Sequence, residues 1–393
     1  MNATDRWRVL AGFTPAALLM LAPMLSGAAN AQTGPTIHEF PVIPNSQAAA
    51  ITTGADGNLW FTALNSNHIG RLTVAGVLTE FAVPTATAGV EDITTGPDGN
   101  LWFAEGLVDQ IGRLTPAGDF AEFATPTTPS EPGIIVTGPD GNLWFTEKAA
   151  NRIVRLTPGG VMTEFAVPTV NSRPFGIAVG PDGNLWFTEY TSNQIGALAA
   201  DHPETILEFL LPPGDAGPTN IVAGPDGALW FTEFRGNQIG RITVDGAVTE
   251  FAIPTADSQP ADIVAGADGN VWFTESAGNH VGRITPAGVI TEFAVPTANS
   301  GPSGITAGPD GNLWFTEMLG DHIGRIGLTG PTCVGDCSGD GTVDIGDLIT
   351  MVNVALGTVT SGMCPLGDAD GNGAIDVAEI IQAVDNALAG CSS

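Results

Sequence analysis

One phrase, close to GPDGNLWFTE, recurs seven times along the chain, with its tryptophan at positions 60, 102, 144, 186, 230, 272 and 314. Successive tryptophans lie 42 residues apart, except for a step of 44 between Trp186 and Trp230. A second phrase, close to TEFAVPT, carries its phenylalanine at 40, 81, 123, 165, 209, 251 and 293, and a third, close to NxIGRLT, lies between the two in every repeat. A period of about 40–45 residues holding four short strands is that of a β-propeller blade. In the last repeat the strands are expected at Ile305–Ala307, Leu313–Thr316 and His322–Ile326, with Pro309 to Asn312 as the turn between the first two. The fourth strand is of the kind seen at Val289–Val295. With 52 glycines and 29 prolines, the chain is well supplied with the turn residues such a fold needs.

The phrases are out of phase. The seventh tryptophan repeat runs out at Gly327-Leu328 without a TEF strand after it, and a spare one stands at the other end, Thr36 to Phe40. The spare strand is expected to complete blade seven and close the ring, leaving no open edge at the join. The repeated charges make a register prediction. Arg71 and Glu80 flank a turn centred on Ala75-Gly76, and Arg113 with Glu122, Arg155 with Glu164, Arg241 with Glu250 and Arg283 with Glu292 keep the same offset. An antiparallel hairpin with that centre sets each pair directly opposite, as a structural contact. The same logic sets Glu39 opposite Arg325.

The ends of the chain differ from the repeats. Arg6 and Arg8 precede an apolar run from Val9 to Leu25, and Ala29-Asn30-Ala31 offers small residues before a cleavage point. This is the layout of a secretory signal peptide over 1–31, giving a secreted or periplasmic protein cut near Ala31. No other segment is long and apolar enough to span a bilayer. A formal net charge of −30, with Lys148 the only lysine, excludes non-specific nucleic-acid binding and attraction to anionic membranes.

Within the repeats two constellations stand out. Glu105, Glu147, Glu189, Glu233, Glu275 and Glu317 share one blade position, where blade one has Ala63. They form an acidic ring if that position faces the channel; otherwise each bonds to neighbouring backbone, the reading favoured here. His68, His280 and His322 share another position, at the start of a third strand, and are expected as surface polar residues too far apart to share a metal.

The phrases LWFTE, NxIGRIT and ITEFxxPT, repeated over residues 36 to 327, resemble the streptogramin B lyase (virginiamycin B lyase) family. The resemblance implies a magnesium-dependent enzyme that opens a cyclic depsipeptide by elimination at its ester bond. It also implies two histidines, each directly after the proline that opens the first strand of blades six and seven, with one glutamate before the blade-seven proline and another after its WF phrase. This chain departs from the pattern: Ala261 follows Pro260, Ser303 follows Pro302, Gly301 precedes Pro302, and only Glu317 remains.

After Pro331 the composition changes. Residues 331–393 hold all four cysteines, nine acidic residues and no lysine or arginine. Two loops repeat the order of an EF-hand calcium loop. In the first, Asp336, Ser338, Asp340, Thr342 through its carbonyl, Asp344 and Asp347 are the ligands; in the second, Asp368, Asp370, Asn372, Ala374 through its carbonyl, Asp376 and Glu379. Gly341 and Gly373 make the sharp turn. Helices are expected after each loop, from Leu348, Ile349, Val352, Ala355 and Leu356, and from Ile380, Ile381, Val384, Ala387 and Leu388. No helix precedes either loop, so the segment resembles a dockerin more than an EF-hand pair. That implies two calcium ions and a cohesin-like partner, although Ile345-Gly346 and Val377-Ala378 replace the Ser-Thr pairs common in dockerin recognition. Cys333, Cys337, Cys364 and Cys391 imply two disulfides with three pairings open.

The sequence reading is therefore a signal peptide over 1–31, an all-β seven-bladed propeller over 32–330 closed by its N-terminal strand, and a small helical calcium-binding dockerin-like domain over 331–393. The function expected is a secreted, non-catalytic recognition or assembly platform for an extracellular ligand or protein. The alternative is a lyase-like carbon–oxygen lyase, using magnesium and Glu317 in a rearranged site.

Overall fold

The computed structural model describes residues 35–328 and, beyond them, Gly335, Cys337, Val343, residues 345–356, Cys364, Ile375 and residues 377–389. The segment read as a signal peptide lies outside the described residues. Among the described residues no helix is long and apolar enough to cross a membrane.

Seven four-stranded antiparallel sheets make up residues 37–326. Blade one runs Ala48–Thr53, Leu59–Ala63, His68–Leu72, Leu78–Ala82 from the inner strand to the outer. The inner strand of each blade packs beside the next, and that of blade seven, Pro302–Ala307, meets that of blade one. The second strands are buried at every residue. Their alternate side chains pack against the sheets on either side, so their sequence is nearly continuous in apolar residues rather than alternating.

The spare N-terminal strand, Ile37–Pro41, pairs antiparallel with the third strand of blade seven, His322–Ile326, as the phase of the repeats requires. Phe40 stacks on Trp314 at 5.1 Å between ring centroids, the same contact that Phe81 makes with Trp60 and Phe123 with Trp102. Glu39 accepts hydrogen bonds from the backbone N–H of Thr297 at 2.8 Å and its Oγ1 at 3.0 Å. Glu122 holds Thr85, and Glu208 holds Thr169, in the same way. The outer-strand glutamate of each of these blades thus grips the loop that leaves the blade before it.

The register corrects the expected charge pairing. Arg71 faces Thr79, and Glu80 faces Gly70. At the closure His38 faces Arg325, and Glu39 faces Gly324. The hairpin is centred on Ala75, not between Ala75 and Gly76: Thr73 N–H donates to Val77 O, and Gly76 turns the chain with φ +86°. A turn with an odd number of residues shifts the register by one. The arginine instead lies over aromatic rings, with Arg71 Cζ 5.5 Å from the Trp60 ring and 5.7 Å from that of Phe81. The tryptophan is held in turn by the aspartate of its own phrase, as where Asp98 Oδ1 accepts from Trp102 Nε1 at 3.0 Å. Burial pushes the Asp98 carboxyl up, but bonds from Trp102 and Asn100 outweigh it and hold the group below the ordinary value. The PDGNLW phrase is therefore a local device that ties each turn to its blade core.

In the tail, α1 (Ile345–Ala355) and α2 (Val377–Ala389) pack together around Met351 and Ala383, with Val343, Cys364 and Ile375. The expected apolar stripes are only partly inside: Leu348 and Ile380 touch this core, whereas Ile349, Val352, Ile381 and Val384 are exposed. Cys337 and Cys364 form a disulfide; Cys333 and Cys391 lie outside the described residues.

Removing the Phe40 ring should weaken closure, because the ring packs against Trp314 of blade seven and the core of blade one. Phe40→Ala is expected to cost about 3 kcal/mol, the lower end for aromatic truncation, and to lower the melting temperature by roughly 6 °C. Differential scanning calorimetry checks this; an unchanged transition would show that the ring closes without this strand.

Candidate ligand site in the central channel

Each inner strand carries one extra residue at its start. In blade three, Pro132 faces Glu147 but Ile135 faces Phe145, so three steps on one strand match two on the other. The same bulge occurs in all seven blades. Such a bulge redirects side chains, and here the two residues after the opening position face the channel. The threonine of LWFTE holds the bulge and ties the blades together. Thr188 Oγ1 accepts from Gly176 N–H at 2.9 Å and donates to Thr219 O of the next blade at 2.5 Å. Thr316 does the same with Gly304 at 2.8 Å and Ala49 O at 2.7 Å. Gly304 has no room for a side chain, since a Cβ there would lie 2.6 Å from Ala49 O.

The bulged positions line a cavity of about 330 Å³. Its wall is uneven. Glu91, Asp92 and Asp262 bring carboxylates, Phe175, Tyr190 and Phe234 bring aromatic rings, and Ala49, Ala261 and Ser303 leave space. Asp92 Oδ2 accepts from Ile135 N–H of the next blade at 2.9 Å, and Asp262 Oδ2 accepts from Ile305 N–H at 2.8 Å. Burial deep in the channel pushes Asp92 up to about 7, with the charge of Asp262 raising it further and the bond from Ile135 opposing. Burial likewise pushes Asp262 up to about 6 against its two backbone bonds. The ammonium of Lys148 is buried, pairs with Glu91, and lies 5.5 Å from the centre of the Phe175 ring. Arg235 lies 4.4 Å over the Tyr190 ring and donates to Asp215 at 2.8 Å.

Of the residues singled out in the sequence, Ala261 and Ser303 line this cavity. Gly301 takes a left-handed φ of +63° beside Leu319. Glu317 ends the second strand of blade seven, fully buried and outside the cavity lining. Its five counterparts are fully buried too. Neither expectation for them holds. They do not ring the channel, and they are not held by backbone. Neither carboxyl oxygen of Glu105, Glu147, Glu233, Glu275 or Glu317 has a hydrogen-bond partner. Serine hydroxyls lie beside three of the six, with Ser192 donating to Glu189 at 2.9 Å, Ser258 near Glu275 and Ser300 near Glu317. Each glutamate is also set near the outer-strand glutamate of its own blade, across the third strand. His68, His280 and His322 are half-buried rather than on the surface, facing Ala63, Glu275 and Glu317 across their strand pairs. Ten of the twelve expected calcium ligands, Asp336, Ser338, Asp340, Thr342, Asp344, Asp368, Asp370, Asn372, Ala374 and Asp376, lie outside the described residues. The other two, Asp347 and Glu379, are buried in the first turns of α1 and α2.

The profile of the virginiamycin B lyase family matches residues 26–212 and 180–333. The chain belongs to the virginiamycin B lyase family. It is similar to a solved streptogramin B lyase, with 40% identity over 74% of this chain and 97% of that one and a TM-score of 0.71. Virginiamycin B lyase from Staphylococcus aureus is 38% identical over 75% of this chain and 99% of its own, with a TM-score of 0.71. A catalytically inactive histidine-to-alanine variant of that enzyme, solved with quinupristin, is likewise 38% identical over 75% and 99%, with a TM-score of 0.70. No curated relative matches.

Within this family fold the cavity residues that sequence reasoning passed over are those that break the repeat: Glu91, Asp92, Lys148, Phe175, Tyr190 and Asp262. The signal was present, since Lys148 and Tyr190 are the only lysine and tyrosine and all six sit at blade positions that vary around the ring. Without the bulge, their shared direction could not be read.

The buried glutamates set a pH dependence. Burial, with the neighbouring glutamate adding, pushes Glu105, Glu147, Glu233 and Glu275 up to about 8. Burial pushes Glu189 and Glu317 up to about 7. The folded chain keeps protons that the unfolded chain releases above its ordinary value of 4.5, so stability falls as pH rises from there towards 8. The melting temperature followed by tryptophan fluorescence, which reports the propeller, should fall from about pH 5 to about pH 8.5, and Glu233→Gln should shallow the slope. A melting temperature that rises over that range would refute this account.

Proposed function

We propose that this protein is an exported binding protein: a virginiamycin B lyase-type propeller that holds a ligand in its channel without the family's elimination chemistry, followed by a calcium-ordered tail. The observation that carries the reading is the identity of the channel residues at the two histidine positions. Elimination needs a base to remove a proton; Ala261 offers a methyl group and Ser303 a hydroxyl of very high pKa. The two positions line the cavity, so their substitution alters the site itself. Magnesium does not fit the remaining residues either. With Gly301 in place of a glutamate, Glu317 is the sole family carboxylate left, and it is buried away from the cavity wall. A related enzyme that lost one histidine is catalytically inactive, yet was solved with quinupristin, which supports binding without turnover as a state this scaffold can take.

The alternative, a lyase with a rearranged site, would need one of the channel carboxylates as base. Asp92 and Asp262 are each held by backbone N–H groups of a neighbouring blade, which favours a positioning role. The test is direct. Elimination leaves the mass of a cyclic depsipeptide unchanged, so ring opening is followed by chromatographic retention. Quinupristin incubated with this protein and magnesium should stay cyclic while calorimetry detects its binding. Turnover at the rate of the Staphylococcus aureus enzyme would overturn the reading, and its loss in Glu317→Gln would locate a rearranged site.

For the tail, the support is the ligand order of the two loops together with the burial of Asp347 and Glu379 at the helix starts. Two calcium ions would hold the loops, with affinities on the order of 10⁻⁴ to 10⁻³ M, the range of extracellular modules. A cohesin-like protein is the partner this implies, and export would deliver the chain to such calcium. Calorimetric titration of the whole protein should give two ions per chain, and Glu379→Gln should weaken one site only. A stoichiometry of zero would refute the assignment.

A further inference from the structure

The channel cavity offers two kinds of binding group. Asp92 and Asp262 enter from the inner strands of blades two and six, three blades apart around the ring. Neither makes an ion pair among the described residues. Their partners are backbone N–H groups: Ile135 at 2.9 Å for Asp92, and Ile263 and Ile305 at 2.8 Å each for Asp262. The nearby carboxylate of Glu91 is taken by Lys148. The rings of Phe175, Tyr190 and Phe234 line the same cavity, from blades four and five. Two of these faces already attract cations of the protein itself, Lys148 over Phe175 at 5.5 Å and Arg235 over Tyr190 at 4.4 Å.

We infer that the channel takes an amphipathic organic cation, an amine or guanidine on an aromatic body, with its charged nitrogen at Asp92 and Asp262 and its body against Phe175, Tyr190 and Phe234. This rests on the reading above that the channel is a ligand site. An anion would meet two carboxylates and find no free cation at the cavity wall, because Lys148 is engaged by Glu91 and Arg235 by Asp215 and Tyr190. A hydrated metal ion would gain nothing from the aromatic wall. A cavity of about 330 Å³ has room for a small drug-sized molecule. A carboxylate and a ring face both favour a desolvated ammonium, the ring by roughly 0.5–2 kcal/mol. The net charge of −30 also concentrates cations at the channel mouth.

The groups that face this nitrogen are Asp92, Asp262 and the Glu91–Lys148 pair. Burial pushes Asp92 up to about 7 and Asp262 up to about 6, so near neutrality part of the cavity's charge is neutralised by protons. A bound cation would displace them, and its affinity should rise as pH rises through those values.

The test uses the full chain and three indoles that differ in charge: tryptamine, the neutral alcohol tryptophol, and indole-3-acetate. By calorimetry and saturation-transfer NMR at about pH 7.5, tryptamine should bind at least ~10-fold more tightly than tryptophol, and indole-3-acetate should not bind. At about pH 5.5, where the amine is still charged, tryptamine affinity should fall ~5-fold or more while that of tryptophol stays constant. The variant Asp92→Asn with Asp262→Asn keeps oxygens for the backbone bonds and should reduce tryptamine to the level of tryptophol. If that variant does not fold, the pH series on the unaltered protein decides alone. Equal binding of the three indoles, preference for the acid, a pH-independent tryptamine affinity, or no tryptamine bound at about 10 mM would each overturn the inference. The two readings fail separately. Opened quinupristin with the charge preference intact would remove only the binding-without-turnover reading. Intact bound quinupristin with no charge preference would remove only this one.

Discussion

Ring closure is the constraint on which the rest of this propeller depends. Seven sheets arranged about an axis have no edge at the join only if the last blade borrows a strand from the other end of the chain. Ile37–Pro41 supplies it, and it brings both contacts seen in the other blades: an aromatic ring against the core tryptophan, and a glutamate on the preceding loop. A strand that merely completed a sheet would leave the blade without those anchors. Because the same contacts recur around the ring, the channel walls are held at fixed spacing, and the inner strands are free to carry side chains chosen for something other than folding.

The channel shows how a repeat makes a unique site. The threonine of the LWFTE phrase locks an inner-strand bulge and bonds the next blade. Blade two has Ala104 at this position, and there Asp92 reaches the next blade's backbone itself. Asp262 does so as well, although its blade keeps Thr274. Two of the cavity's carboxylates are thus also interblade ties. Their burial raises their proton affinity, which couples what the cavity binds to what it must release.

The strand-two glutamates pose a different question. Six acidic side chains are fully buried beside another glutamate, and five of them have no hydrogen-bond partner on either oxygen. An unpaired buried carboxylate is costly, and the chain answers by keeping them protonated where an exposed glutamate would be ionised. Strand alternation alone would have put these polar residues at the surface; here the blade stack covers both faces of the second strand.

How much of this was legible in the residues depended on range. The period, the blade strands, the turn glycines and the borrowed strand follow from local pattern and from counting phrases, because each blade repeats one local solution. Ala261 and Ser303, at the positions where the family resemblance implies histidines, were read from the sequence alone. The arginine–glutamate register was not. It hinges on whether a turn has an odd or even number of residues, and the positive φ of Gly76 decides that. The fate of Glu105 and its counterparts was not legible either, because burial is set by neighbouring blades far away in sequence. Nor could a scan for repeats find Glu91, Asp92, Lys148, Tyr190 and Asp262, which are visible only as exceptions to the pattern. A closed seven-bladed ring could be read from the residues, since strand period and turn chemistry are local. Which exceptions share one cavity is a matter of the folded ring, because a bulge at the head of each inner strand turns residues about 42 positions apart towards a common axis.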